Sequence, residues 1–146
     1  MTIAIACDHG ALTLKNKLVD YLRGQGHTVR DFGTNTPDSC DYPEFAGAAA
    51  RAVAAGECER GIVLCTTGIG VSIAANKIRG IRCALLSDVV SARMTREHND
   101  TNMMALGAGV VGEMLALQIV DTWLGTPYSQ DTRHNRRIAK LMALED

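Results

Sequence analysis

The sequence predicts an α/β fold, a three-layer Rossmann-like sandwich with a five-stranded parallel sheet plus a C-terminal helix. Three observations carry that expectation. Five short apolar and β-branched runs recur, at 3–7, 28–32, 62–65, 81–86 and 103–106, each with the length of a strand buried on both faces. Stretches of helical length lie between them. Their alternation requires crossover connections, and the right-handed crossover that joins parallel strands is the stable one.

The elements follow in chain order. Leu14, Leu18, Tyr21 and Leu22 share one face of a first helix that Gly24 and Gly26 can end, since glycine tolerates the left-handed turn after a helix. His27 opens the second strand. Asp41 is the expected cap of the second helix, Pro43 marks its first turn, and the small residues of 46–55 suit close packing on a sheet. A third helix begins at Gly70 and ends near Lys77, a fourth covers about 88–97, and a fifth covers 113–124. Met103 and Met104 belong to the core of the last strand. After Pro127 the pattern changes: 128–131 reads as loop and 132–144 as a helix rich in Arg and Lys that no strand follows. That helix is either a solvated surface element or an appendage serving a phosphate site or a subunit boundary.

Composition excludes several classes of function. A length of 146 residues fits one domain, 1–146, and leaves no room for a cofactor domain beside a catalytic one. Fifteen Lys plus Arg against sixteen Asp plus Glu provide no field for a nucleic-acid backbone or an anionic membrane. The first apolar run stops at Asp8 and His9, too short for a signal peptide, and no later run could span a bilayer. A cytoplasmic protein is therefore expected. Its five cysteines, 7, 40, 58, 65 and 83, include no C-x-x-C pair and no zinc spacing, so they read as reduced thiols.

Ligands of open parallel sheets lie beyond the carboxyl ends of the strands, where loops and helix N-termini direct N–H groups into one crevice. The sequence places four polar groups there: Asp8-His9, the segment 65–70, Ser87-Asp88, and His98-Asn99 ahead of the fifth strand. The segment Cys65-Thr66-Thr67-Gly68-Ile69-Gly70 joins a strand-end thiol to a glycine-containing turn that opens a helix. A nest of N–H donors beside a nucleophilic sulfur results, suited to an oxyanion and to a thiolate. The same residues could instead be a structural cysteine beside a tight turn. They could also be a dinucleotide fingerprint, Gly68-x-Gly70 with Asp88 twenty residues on, but Ile73 holds the third glycine position.

The other polar residues carry similar alternatives. Asp8 and His9 are either a helix-capping pair or substrate ligands. His98 either finishes a helix at the surface or belongs to the hydroxyl-binding run that continues through Asn99-Asp100-Thr101-Asn102. Arg133 and Arg137, four apart, share one helix face and can grip a phosphate from two directions, whereas Arg136 and Lys140 are solvated. Cys7, Cys40, Cys58 and Cys83 are packing or surface residues.

Four motifs mark the chain: Ile3-Ala-Ile-Ala-Cys-Asp-His-Gly10, Asp41-Tyr42-Pro43, the 65–70 loop running into Ser72-Ile-Ala-Ala-Asn-Lys77, and His98-Asn-Asp-Thr-Asn102. In these the chain resembles the ribose-5-phosphate isomerases of the B type, a group that includes the galactose-6-phosphate isomerase subunits. The resemblance implies an aldose–ketose isomerase without cofactor or metal, acting on a small-molecule sugar phosphate as a homodimer or tetramer with shared active sites. It assigns Cys65 as the base moving a proton between C2 and C1, and Thr67 with the N–H groups of Gly68, Ile69 and Gly70 as the enediolate cradle. His98 becomes the ring-opening acid. Asp8, His9, Tyr42, Thr66 and Asn99 would contact the sugar, and Arg133 and Arg137 the phosphate. Relatives that lack the cysteine put a glutamate just after the last loop glycine; Val71 stands there, which puts this chain with the thiol users.

Two positions depart from the family pattern. Thr66 replaces a usual glycine, and Gly109 a common phosphate-site arginine, a charge-assisted contact worth about 1.5–3 kcal/mol unless another cation such as Arg136 supplies it. The expected reaction interconverts ribose 5-phosphate and ribulose 5-phosphate. The alternatives are a relative acting on allose 6-phosphate, galactose 6-phosphate, a tetrulose phosphate or an unphosphorylated sugar, a phosphate- or nucleotide-binding module without chemistry, and a redox thiol protein.

Overall fold

Small side chains on one face of the sheet and large ones on the other set the spacing of the layers in the computed structural model, which describes residues 1–145. Five strands, β1 (Thr2–Cys7), β2 (Thr28–Asp31), β3 (Arg60–Cys65), β4 (Cys83–Leu85) and β5 (Met103–Gly107), pair in parallel in the order β2-β1-β3-β5-β4. Six helices connect or follow them: α1 (Leu12–Gly24), α2 (Tyr42–Ala54), α3 (Ile69–Asn76), α4 (Val89–Asn99), α5 (Glu113–Gly125) and α6 (Thr132–Met142). The expected α/β sandwich is the fold observed.

Strand alternation sorts the core into two halves. Ala4 and Ala6 of β1 meet Ala46, Ala49, Ala50 and Val53 of α2, so that helix approaches the sheet closely, with α3 beside it. On the other face Ile3, Ile5, Ile62 and Leu64 pack against Leu14, Leu18 and Leu22 of α1 and Ile119 and Trp123 of α5. Met103 and Met104 are fully buried, as expected. Burial on both faces holds for β1, β3 and β5 but not for β2 and β4, because these are the edges; on β2 only Val29 is buried. The fourth strand is also shorter than 81–86, since Ile81 donates its N–H to the Ile78 carbonyl in the preceding turn. Asp41 occupies the N-cap of α2 without a capping side-chain hydrogen bond.

The strand order reverses between β1 and β3, which opens a crevice at their carboxyl ends. A buried lysine braces it from behind. The Lys15 ammonium, fully buried, donates to Asp31 Oδ2, the Thr34 carbonyl and Asn35 Oδ1, each at 2.7 Å, and so holds the loop after β2. No helix among the described residues is long and apolar enough to cross a membrane.

Candidate active site

Cys65 closes β3, and its register fixes its neighbours. Cys7 pairs with Leu64, so Asp8 emerges beside Cys65 and donates its N–H to the Leu64 carbonyl at 3.2 Å. The Cys65 side chain is almost buried, and Sγ accepts the Gly68 N–H at 3.1 Å. Gly68 makes this possible. Its φ of +77° suits glycine, and a Cβ there would lie 2.8 Å from the Leu106 carbonyl carbon and 2.9 Å from the Gly107 nitrogen.

Helix α3 starts at once, and the first N–H groups of a helix have no partner within it. Ile69 directs its N–H to Thr67 Oγ1 at 3.2 Å. Of the three amides expected in the cradle, those of Gly68 and Ile69 therefore contact Cys65 and Thr67. The Tyr42 ring, first in α2, lies against Gly70, where an added Cβ would come within 2.6 Å of it. This contact couples the starts of α2 and α3.

Of Asp8 and His9, Asp8 acts as a helix cap and His9 does not. Asp8 Oδ1 accepts the Gly10 N–H at 2.9 Å, at the head of the short 3-10 turn His9–Ala11. His9 Nδ1 accepts the Cys40 N–H at 3.3 Å, which puts the imidazole proton of the neutral ring on Nε2. Cys40 Sγ lies 3.8 Å from the same nitrogen, so Cys40 packs against His9. Sequence spacing gave no sign of this, because thirty-one residues separate the pair. His9 and Gly10 also border a cavity of about 320 Å³ that extends to Lys17 and Glu113.

Thr66 and Gly109, the two departures, are neighbours. The Gly109 N–H donates to the Thr66 carbonyl at 2.8 Å, and a Cβ on Gly109 would lie 3.1 Å from Thr66 Cγ2. On the other side, a Cβ on Gly10 would be 2.3 Å from Thr66 Oγ1. The threonine side chain thus fills a gap bordered by two glycines.

His98 and Asn99 correct the expectation that all four polar groups gather at the carboxyl ends. They finish α4, which runs back across the sheet, and a segment leading into a parallel strand stands at its amino end. Since Gly61 pairs with Met103 and Cys65 with Gly107, four residues at about 3.3 Å each, roughly 13 Å, separate that end from Cys65. Arg82 fixes the helix end by donating to the Asn99 carbonyl at 2.9 Å and the Asp100 carbonyl at 2.7 Å. Buried Arg96 holds Asp100 Oδ1 at 2.8 Å and the Thr101 carbonyl at 2.6 Å.

Beside them His98 and Asn99 line a cavity of about 370 Å³ with His134, Arg137, Ile138 and Leu141. Arg133, one turn earlier on α6, is exposed, with its guanidinium 3.7 Å from Asp131. Arg136 and Lys140 are exposed, as expected. One chain therefore carries two separate polar clusters, the Cys65 loop at one end of the sheet and a cationic and imidazole group at the other.

The remaining thiols are structural. Burial pushes Cys7 and Cys83 up to about 12 and also raises Cys58. Asp88, the acid of the dinucleotide alternative, accepts the Ser91 N–H at 2.7 Å as the cap of α4, and that bond holds its carboxyl below the usual range. Among the described residues no three His, Cys, Asp or Glu side chains converge to hold a metal ion.

The sequence and the fold both have known relatives. The model of the Ribose/Galactose Isomerase family matches residues 3–141. Ribose-5-phosphate isomerase B of Escherichia coli is 47% identical over 143 residues, covering 98% of this chain and 95% of that one. D-erythrulose-4-phosphate isomerase of Pectobacterium atrosepticum is 43% identical, covering 88% of this chain and 85% of the relative. The solved structure of ribose-5-phosphate isomerase B from Clostridium thermocellum superimposes with a TM-score of 0.97 at 51% identity, covering 99% of this chain and 97% of that one.

Proposed function

The chain belongs to the ribose/galactose isomerase family, and from that premise we propose that it interconverts ribose 5-phosphate and ribulose 5-phosphate through an enediolate. The observation that carries this reading is the Gly68 N–H donating to Cys65 Sγ at 3.1 Å, beside the open start of α3. A sulfur base needs such a donor, and a developing enediolate needs free amides next to it.

The reaction divides between the two clusters. His98 protonates the ring oxygen as the furanose opens and O1 loses its proton, which frees the aldehyde. Cys65 then takes the proton from C2 and returns it to C1, while the O2 proton moves to O1. Thr67 and the Gly70 N–H face the charge that builds on the oxygens. Asp8, His9, Tyr42, Thr66 and Asn99 hold the sugar, and Arg133 and Arg137 receive the phosphate. No step requires a metal or an organic cofactor.

Because Cys65 and His98 stand at opposite ends of the sheet, the proposal includes a homodimer or tetramer in which one copy supplies the cradle and a second supplies His98, Asn99, Arg133 and Arg137. Exposed Ile69, Ile73, Leu85, Val90 and Met94 on α3, β4 and α4 give that second copy an apolar surface to cover. Five free thiols suit a reducing cytoplasm.

Cys65→Ala tests the mechanism. The variant should fold, lose isomerisation, and lose exchange of the ribulose 5-phosphate C1 proton with solvent deuterium. An active Cys65→Ala protein, or wild-type activity that vanishes on chelation and returns with metal, would refute it. The adjacency of Thr66 and Gly109 favours a second reading, in which a neighbouring sugar phosphate is the better substrate. A panel of tetrose, pentose and hexose phosphates with their unphosphorylated counterparts decides between the two.

A further inference from the structure

We infer that His134 is the positioning residue for His98, holding its ring in the orientation that furanose opening requires; this rests on the proposed role of His98 as the ring-opening acid. His134 is the one buried residue of α6, a helix otherwise open to solvent. A buried imidazole is a costly choice for packing alone, because its nitrogens need partners that an aliphatic side chain would not. Its surroundings are specific. The His134 and His98 rings lie with centroids 4.5 Å apart and planes inclined by 39°. Ser129 Oγ lies 2.8 Å from His134 Nδ1 and accepts the Asp131 N–H at 3.3 Å, so the hydroxyl links the ring to the backbone ahead of α6.

The His134 ring is therefore fixed from one side. The Ser129 N–H also reaches back to the Glu97 carbonyl at 3.4 Å, so the serine ties the loop before α6 to the last turn of α4, next to His98. The chain Ser129–His134–His98 ends in the cavity shared with Asn99 and Arg137. An acid that must meet a ring oxygen gains from having its rotamers restricted before substrate arrives, and misplacement by an ångström costs up to about 100-fold.

The test separates ring opening from proton abstraction. Ribulose 5-phosphate cannot close to a furanose, since the oxygen that would close it carries the phosphate. Exchange of its C1 proton with deuterium therefore needs Cys65 but no ring-opening acid. His134→Ala should lower turnover of ribose 5-phosphate by roughly 10- to 100-fold and leave the exchange rate within about twofold. His134→Phe keeps a stacking ring and should restore most of the turnover. Ser129→Ala, at an exposed position, should show the same selectivity with a smaller loss, and it answers the question even if His134→Ala fails to fold. Equal losses in both assays, or no loss in either, overturn the inference. His98→Ala serves as the reference: if it also fails to discriminate between the assays, the ring-opening role falls and this inference with it, whereas a selective His98→Ala beside a non-selective His134→Ala defeats this inference alone.

Discussion

Replacing Gly68 by alanine tests whether the cradle is built by the backbone. At φ +77° an L side chain costs about 1–2 kcal/mol. The new Cβ would also stand 2.6 Å from Leu85 Cδ1, 2.8 Å from the Leu106 carbonyl carbon and 2.9 Å from the Gly107 nitrogen. The leucine can turn away, but the two backbone atoms belong to the end of β5 and cannot. Overpacking of this kind costs about 1–3 kcal/mol more, for a total of about 2–5 kcal/mol. At about 2–4 °C per kcal/mol for a chain of this size, melting should fall by roughly 4–20 °C. Relief of the clash pulls the Gly68 N–H away from Cys65 Sγ, and removal of one preformed donor costs about 100- to 1,000-fold in kcat. Gly26→Ala is the control, with a similar φ of +89° but nothing within 4 Å of the added carbon; it should show only the backbone cost and full activity. Urea unfolding with initial-rate kinetics on both variants decides. If Gly68→Ala unfolds no more readily than Gly26→Ala, or keeps kcat within a few-fold of wild type, the account of the cradle is wrong.

Other consequences follow from single contacts. Lys15→Met removes a buried ammonium from three acceptors at 2.7 Å and leaves Asp31 without its cation, so urea unfolding should show a loss of about 3–5 kcal/mol. Cys7 is neutral in the fold, with burial raising it from 9.0 to about 12, so its stabilising effect is complete below pH 9 and lost as pH rises toward 12. At pH 10 that loss is about 1.4 kcal/mol. Cys7→Ala should flatten the alkaline side of the stability profile, and an unchanged slope would contradict the assignment. Gly109→Arg should lower KM for a sugar phosphate by about ten- to a hundredfold. Since its Cβ meets Thr66 Cγ2 at 3.1 Å, the gain should be larger in a Thr66→Gly background, and a double-mutant cycle that is additive would show the two positions to be independent.

The sheet was legible because its pattern is local. Buried strands such as 3–7 and 103–106 are continuous apolar runs, and glycine and proline punctuate the helices between them. The turn from β3 into α3 was legible for the same reason, since thiol, turn glycine and helix start are consecutive in 65–70. The His98 side was misread. Its motif precedes β5, and in a parallel sheet that places it at the end opposite Cys65, a consequence of chain direction rather than of residue type. Cys40 against His9 and His134 against His98 were missed because each pair is joined by the fold, across thirty-one and thirty-six positions. His134 did leave a trace: with Ile138 and Leu141 it forms an i, i+4, i+7 stripe on a helix otherwise rich in Arg and Lys.

The division of the site between copies is tested most directly by mixing Cys65→Ala with His98→Ala. Each variant alone lacks one half-site in every active centre. After denaturation together and refolding at equal amounts, random pairing makes about half of the dimers hybrid, each with one centre in which both residues are intact, so activity should recover to about a quarter of wild type. Confirmed hybrids that stay inactive would show that Cys65 and His98 do not meet across a subunit boundary.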